Sequence, residues 1–291
     1  MRDRAGQMVN GPRSGTRDDA SRVDQALAQA LRALDGRRPD EAERIVGEIL
    51  KHAPQHHRAL YLLGCALLMQ GRSDQAVVPL ERAARGRQDA EIETTLGIVL
   101  RQIGRLDEAL SRLRRAAKRR PPYAPAFYEL GCLLVALDNY DEAIAAFGRG
   151  LEIAPMMPEL SIQLGYALLW CKRCDQAKAA FARALEIAPR SAEALAGMGK
   201  AHRDAGEAGP AADCFRRALT VRPEDPGIWL ALGLSLQELG QADAARDALR
   251  RAARGERKRY DQALNSLVAS GHGRFWIRPS AAAQFFQVPE T

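Results

Sequence analysis

A single rhythm constrains this chain more than any other feature. The stretch "LGCLLVALDNYDEAIAAFGRGLEIAP", ending at Pro155, aligns without gaps on "LGYALLWCKRCDQAKAAFARALEIAP", ending at Pro189, at an offset of 34 residues. Extending that offset both ways divides the chain into seven units: 23–56, 57–89, 90–123, 124–157, 158–191, 192–225 and 226–259. The second is one residue short. Self-similarity at such a period marks an array of small structural units, none of which can bury its apolar face alone. Composition agrees on the element type. Ala (52) and Leu (35) dominate and Thr is scarce, a balance of helix formers that argues against a β-rich fold. An apolar fraction of 46% excludes wholesale disorder.

Numbering each unit from 1 to 34 exposes the logic. Position 8 is Gly64, Gly97, Gly131, Gly165, Gly199 and Gly233, with Ala30 in the first unit. Position 20 is Ala throughout: Ala42, Ala76, Ala109, Ala143, Ala177, Ala211 and Ala245. Position 24 is large and apolar, from Val46 through Phe147 and Phe181 to Leu249. Small residues belong where two helix axes approach closely, and a large one fills the space between them and the next pair. Asp at position 18 (Asp40, Asp74, Asp107, Asp141, Asp175, Asp243) precedes an apolar-periodic run and is expected to be a helix N-cap. Gly209-Pro210 replaces it once, with Pro210 expected at the first helical position. Proline at position 32 (Pro54, Pro121, Pro155, Pro189, Pro223) closes the second helix.

This pattern resembles the tetratricopeptide repeat family. Trp229, Leu232, Gly233, Leu236, Ala245, Leu249 and Ala252 carry the motif in the last unit, and Phe127, Leu130, Gly131, Ala143, Phe147 and Pro155 carry it in the fourth. The resemblance covers 23–259. The first unit departs from it, with Ala26, Gln29 and Ala30 where a large residue, Leu and Gly are usual, as befits a terminal cap. The resemblance implies an all-α solenoid, a right-handed superhelix of antiparallel helix hairpins. It implies a concave groove lined by first helices. It also implies a non-catalytic scaffold or adaptor that binds a peptide or helix of a partner protein.

In that family, positions 2, 5, 9, 12 and 13 tend to face the groove. Here they supply Tyr61, Cys65, Arg101, Tyr128, Cys132, Tyr166, Trp170, Lys200 and Arg203. Apolar and aromatic residues in the middle, with cations on either side, suit an extended peptide or amphipathic helix with an acidic flank. The Lys and Asn clamp of members that bind chaperone tails is not matched.

The ends depart from the repeat. Residues 1–22 are polar and are expected to form a disordered leader. Residues 260–270 read as a capping helix stopped by Gly271, and 271–291 form an aromatic tail. Phe275, Trp276, Phe285 and Phe286 in that tail either dock on the last unit or insert elsewhere. The insertion target would be the partner, as in an accessory subunit of an enzyme or a secretion or assembly complex, or the groove of a second copy, giving a homodimer.

Catalytic chemistry is thinly represented. His52, His56 and His57 cluster at the junction of the first two units and read as loop histidines, and no His pair at helical spacing flanks a Glu. Cys171 and Cys174 have no second cysteine pair to complete a zinc site, and no strand precedes them as a redox motif requires. No metal, cofactor or enzymatic activity is expected. The repeat-bearing O-linked sugar transferases add a catalytic domain and a ladder of asparagines, whereas this chain has only Asn10, Asn139 and Asn265. The basic run Arg112, Arg114, Arg115, Lys118, Arg119 and Arg120 lacks interleaved aromatics for base stacking. It is expected to be a solvated outer face rather than a nucleic-acid surface. The longest apolar run, Leu60 to Met69, is too short to cross a bilayer. The first twenty residues hold no apolar segment of the secretory type. Five scattered cysteines suit a reducing, cytoplasmic setting.

Overall fold

The computed structural model describes residues 15–86 and 89–253. The expected capping helix and the tail residues Phe275, Trp276, Phe285 and Phe286 lie outside the described residues. The chain forms two compact halves, divided after Glu129. The first half holds α1 (Gly15–Asp35), α2 (Pro39–His52), α3 (His57–Met69), α4 (Ser73–Gly86), α5 (Ala90–Gln102), α6 (Leu106–Ala117) and the start of α7 (Ala124–Ala136). The second holds the rest of α7, α8 (Tyr140–Ile153), α9 (Pro158–Trp170), α10 (Cys174–Ile187), α11 (Ala192–Asp204), α12 (Ala208–Val221), α13 (Pro226–Glu238) and α14 (Ala242–Ala253). There is no strand among the described residues.

Within each half, helices pack as hairpins in chain order, and each hairpin packs on the next. Helices two apart also touch, α1 on α3 and α3 on α5 in the first half, α9 on α11 and α11 on α13 in the second. First helices therefore make a row of their own. The all-α solenoid of helix hairpins expected from the repeat is what the chain folds into.

Close approach explains the glycines. A methyl group on Gly64 would lie 2.4 Å from the Leu80 side chain, and one on Gly131 would lie 2.4 Å from Phe147. Gly165 would meet Phe181 at 2.6 Å and Gly199 would meet Phe215 at 2.7 Å. Leu80, Phe147, Phe181 and Phe215 are all fully buried. Phe181 is held from two sides, because Gly197 on α11 also presses on its ring. The alanines at position 20 seal the opposite wall of each pair, none more than 1% exposed.

Two local expectations are corrected. The aspartates at position 18 do not cap. Each second helix that carries one starts two residues earlier than a cap there would have it, so that Asp40, Asp107, Asp141 and Asp175 are second in its first turn. The capping places are held by Arg38, Arg105, Asn139 and Arg173, none of which makes a side-chain capping bond. The tight turn before each second helix sets this register. Its residue at position 15 is left-handed in every hairpin: Gly71, Gly104, Gly206 and Gly240 in four, Arg37, Asp138 and Lys172 in three. The aspartates then act on the helix dipole rather than as caps. Pro210 likewise lies third in α12, not first, still within the turn where its missing N–H costs no bond. The other correction concerns the leader. It is helical from Gly15 onward, since extending a helix that is already nucleated costs far less than starting one.

Candidate protein-binding surfaces

In the second half, α9, α11 and α13 present one connected surface. Tyr166 on α9 is half-buried and stands edge-on to Phe181, ring centres 5.2 Å apart. Its hydroxyl donates to the backbone carbonyl of Glu193 at 3.3 Å. Burial pushes the phenol up to about 12, so it stays neutral and donates. The ammonium of Lys200 on α11 lies 5.3 Å from the centre of the Tyr166 ring, in cation–π range. One turn on, Arg203 is half-buried, with its guanidinium 3.9 Å from Asp204. Lys200 and Arg203 together border a cleft of about 320 Å³ whose other walls are Gly227, Leu230, Ala231 and Leu234 of α13. Its floor is apolar and its rim cationic. The structure thus brings together Tyr166, Lys200 and Arg203, three of the residues expected to bind a peptide.

Trp170 ends α9 and is 64% exposed. It stacks on Tyr140, the first residue of α8, with ring centres 5.7 Å apart and planes 14° from parallel. The Tyr140 hydroxyl donates to Asp138. Tyr140 was not among the expected contact residues, because position 17 reads as the start of a second helix. No signal at single-unit spacing links it to position 13 of the next unit.

The corresponding surface of the first half is more closed. Tyr61 is only 7% exposed, so it forms part of a wall. The Arg58 guanidinium covers its ring at 5.5 Å and reaches Glu91 at 3.5 Å. Burial pushes the Tyr61 phenol well above its ordinary value and the neighbouring Cys65 thiol up to about 11. Both are neutral. Arg101 on α5 pairs with Glu129 on α7 at 3.0 Å. Burial raises the Glu129 carboxyl above the usual carboxylate range, and Arg101 opposes this only in part. Tyr128, near the end of this half, is half-buried, as is Cys132 on the part of α7 that belongs to the second half.

The basic run is not simply a solvated face. Glu93 on α5 is fully buried, and Arg112, Arg115 and Arg119 of the run converge on its carboxylate. Arg114, Lys118 and Arg120 remain exposed. Among the histidines, His56 caps α3 by accepting from the Ala59 N–H at 3.3 Å, and His57 stacks beside it. Cys171 and Cys174 are free thiols at the turn between α9 and α10. Among the described residues no group of three or more His, Cys, Asp or Glu is placed to hold a metal ion. None of the described helices is long and apolar enough to cross a membrane.

Comparison with known families matches this architecture. A Tetratricopeptide repeat model matches residues 27–91, 94–158 and 196–262, and a second Tetratricopeptide repeat model matches 134–201. The chain belongs to the tetratricopeptide repeat family. No curated protein matches it significantly over its sequence. Solved structures share the fold at low identity. A tetratricopeptide repeat protein from Parabacteroides merdae superposes with a TM-score of 0.60 at 16% identity, covering 86% of this chain and 98% of the other. The pilF protein of Pseudomonas aeruginosa gives 0.61 at 21% identity, covering 71% and 95%. YrrB, described as a tetratricopeptide repeat protein with an unusual peptide-binding site, gives 0.53 at 19% identity, covering 62% and 93%.

Proposed function

We propose that this protein is a non-catalytic scaffold that holds a segment of a partner protein on its first helices, chiefly along α9, α11 and α13. Tetratricopeptide repeats generally mediate protein–protein interaction, and the fold relative YrrB carries a peptide-binding site. The observation that carries the reading is the cleft walled by Leu230, Ala231 and Leu234 beneath Lys200 and Arg203. Its apolar floor suits one or two aliphatic or aromatic anchors of an extended peptide or amphipathic helix. Its cationic rim selects an acidic residue beside those anchors and so fixes direction and register. Tyr166, stiffened by Phe181 and capped by Lys200, extends the surface with a rigid ring of the kind that dominates binding energy.

Selection of peptides from a random display library on the purified full chain tests this. The expected winners carry apolar anchors with an Asp or Glu within a few positions. Reversing the rim with Lys200→Glu and Arg203→Glu should abolish their binding and shift a fresh selection toward basic flanks. Winners that bind the reversed variant as well as the parent would overturn the reading. Binding should survive removal of residues 271–291. Its loss there would transfer the contact to the aromatic tail.

A further inference from the structure

The third hairpin, α5 with α6, breaks its own repeat at three linked positions. Position 4 is Leu60, Phe127, Leu195 and Trp229 in other units and Glu93 here. Position 23 is Ala146, Ala180, Cys214 and Ala248 in the four units that follow and Arg112 here. Position 30 is Ile153, Ile187 and Val221 in the next three units and Arg119 here. An apolar contact has been replaced by an ion cluster, and its members meet in space. Glu93 is fully buried, with Arg115 at 2.8 Å, Arg112 at 3.4 Å and Arg119 at 3.9 Å from its oxygens. Arg112 also reaches Glu81 of α4 at 3.9 Å.

One guanidinium would neutralise Glu93, yet three surround it. The excess cation faces a cleft of about 340 Å³ lined by Glu81, Ala84, Arg85, Arg112 and Arg115. Arg85 projects into solvent from the last turn of α4. At the cleft itself three arginines stand against Glu81 and the buried Glu93, a surplus of one positive charge. The buried carboxylate does for the arginines what a bound ligand would otherwise have to do. It draws Arg112 and Arg115 to the cleft before anything arrives, so less rotamer freedom is lost on binding. A tetrahedral oxyanion answers that surplus and offers several acceptors to the guanidinium donors. The cleft lies at the small end of ligand sites, large enough for one such group.

We propose that the cleft between α4 and α6 binds a phosphoryl group, on a small phosphomonoester or on a phosphorylated side chain. This site uses second helices of the first half. It stands or falls independently of the peptide surface on α9, α11 and α13.

The full chain would be titrated by calorimetry with inorganic phosphate, with acetate and with a short phosphoserine peptide, at ionic strength held constant with sodium chloride. Saturable phosphate binding below about 10 mM, and roughly tenfold weaker binding of acetate, are expected from charge-assisted pairing. Arg85→Ala leaves the Glu93 cluster untouched and should weaken phosphate binding about tenfold. The triple variant Glu93→Leu, Arg112→Ala, Arg119→Ile restores the residues of the other units. It should unfold at a temperature no lower than the parent and bind no phosphate. Absence of saturation in the parent, or equal affinity in the parent and Arg85→Ala, would overturn the proposal. A peptide bound tighter than inorganic phosphate assigns the site to a modified side chain, and equal affinities assign it to a small ester.

Discussion

Single side chains carry the register of this array. Phe181 is the clearest case, since its ring lies against Gly165 of its own hairpin and Gly197 of the next. Those two contacts leave the ring no direction of retreat. Gly165→Ala should therefore destabilise the protein by about 1–3 kcal/mol, the usual result of overpacking, although alanine is the better helix former. Gly97→Ala should cost less, because its methyl group meets the Leu113 side chain, Cγ first at 2.6 Å, and an aliphatic side chain pressed by one glycine can change rotamer more readily than a ring pressed by two. Thermal unfolding of the two variants side by side checks the order. A smaller loss at Gly165 than at Gly97 would mean that the ring moves aside.

At the level of the helix, starts differ between first and second members of a hairpin. Asp225 caps α13 by accepting from the N–H groups of Gly227 and Ile228 at 2.9 and 3.2 Å. Asp141 only sits in the first turn of α8 and is 88% exposed. Asp225→Ala should thus cost about 1 kcal/mol. Asp141→Ala should cost no more than about 0.5 kcal/mol, part of it returned by the helix propensity of alanine. Denaturant midpoints of the two variants would reverse this order if Asp141 were the true cap. The aspartates at position 18 were legible in the sequence as start signals but not as to place. A two-residue offset depends on the left-handed turn residue, and Arg37, Asp138 and Lys172 hide that turn from a search for glycine. The hairpins themselves were legible because their spacing is enforced by contacts repeated many times over. The Tyr140–Trp170 stack and the Glu93 cluster were not. Each joins residues of different helices once only, and a periodic reading averages such departures away.

At the scale of the molecule, the substantial helix contacts among the described residues of each half join helices one or two places apart along the chain. Loop-closure costs are then small and opening is local. Phe181→Ala, which empties a fully buried site, should remove about 3–5 kcal/mol where that site lies. Amide hydrogen exchange should quicken most in α9 to α11 and progressively less toward α14. Uniform loss of protection across the second half would instead mean that it opens as one block. The same short-range wiring suits a scaffold. A partner laid along the row of first helices stiffens several hairpins that otherwise communicate only with their neighbours.

Repeat arrays of this kind grow by duplicating a module, and most modules can be shuffled afterwards without harm. Glu93 sets a limit inside the third hairpin. Its counter-ions Arg112, Arg115 and Arg119 belong to the same module, so the module can move whole and keep its carboxylate paired. A crossover between α5 and α6 with a copy that offers alanine and isoleucine in place of Arg112 and Arg119 would instead shut the carboxylate in with fewer counter-ions. The two halves of this hairpin must therefore be inherited together.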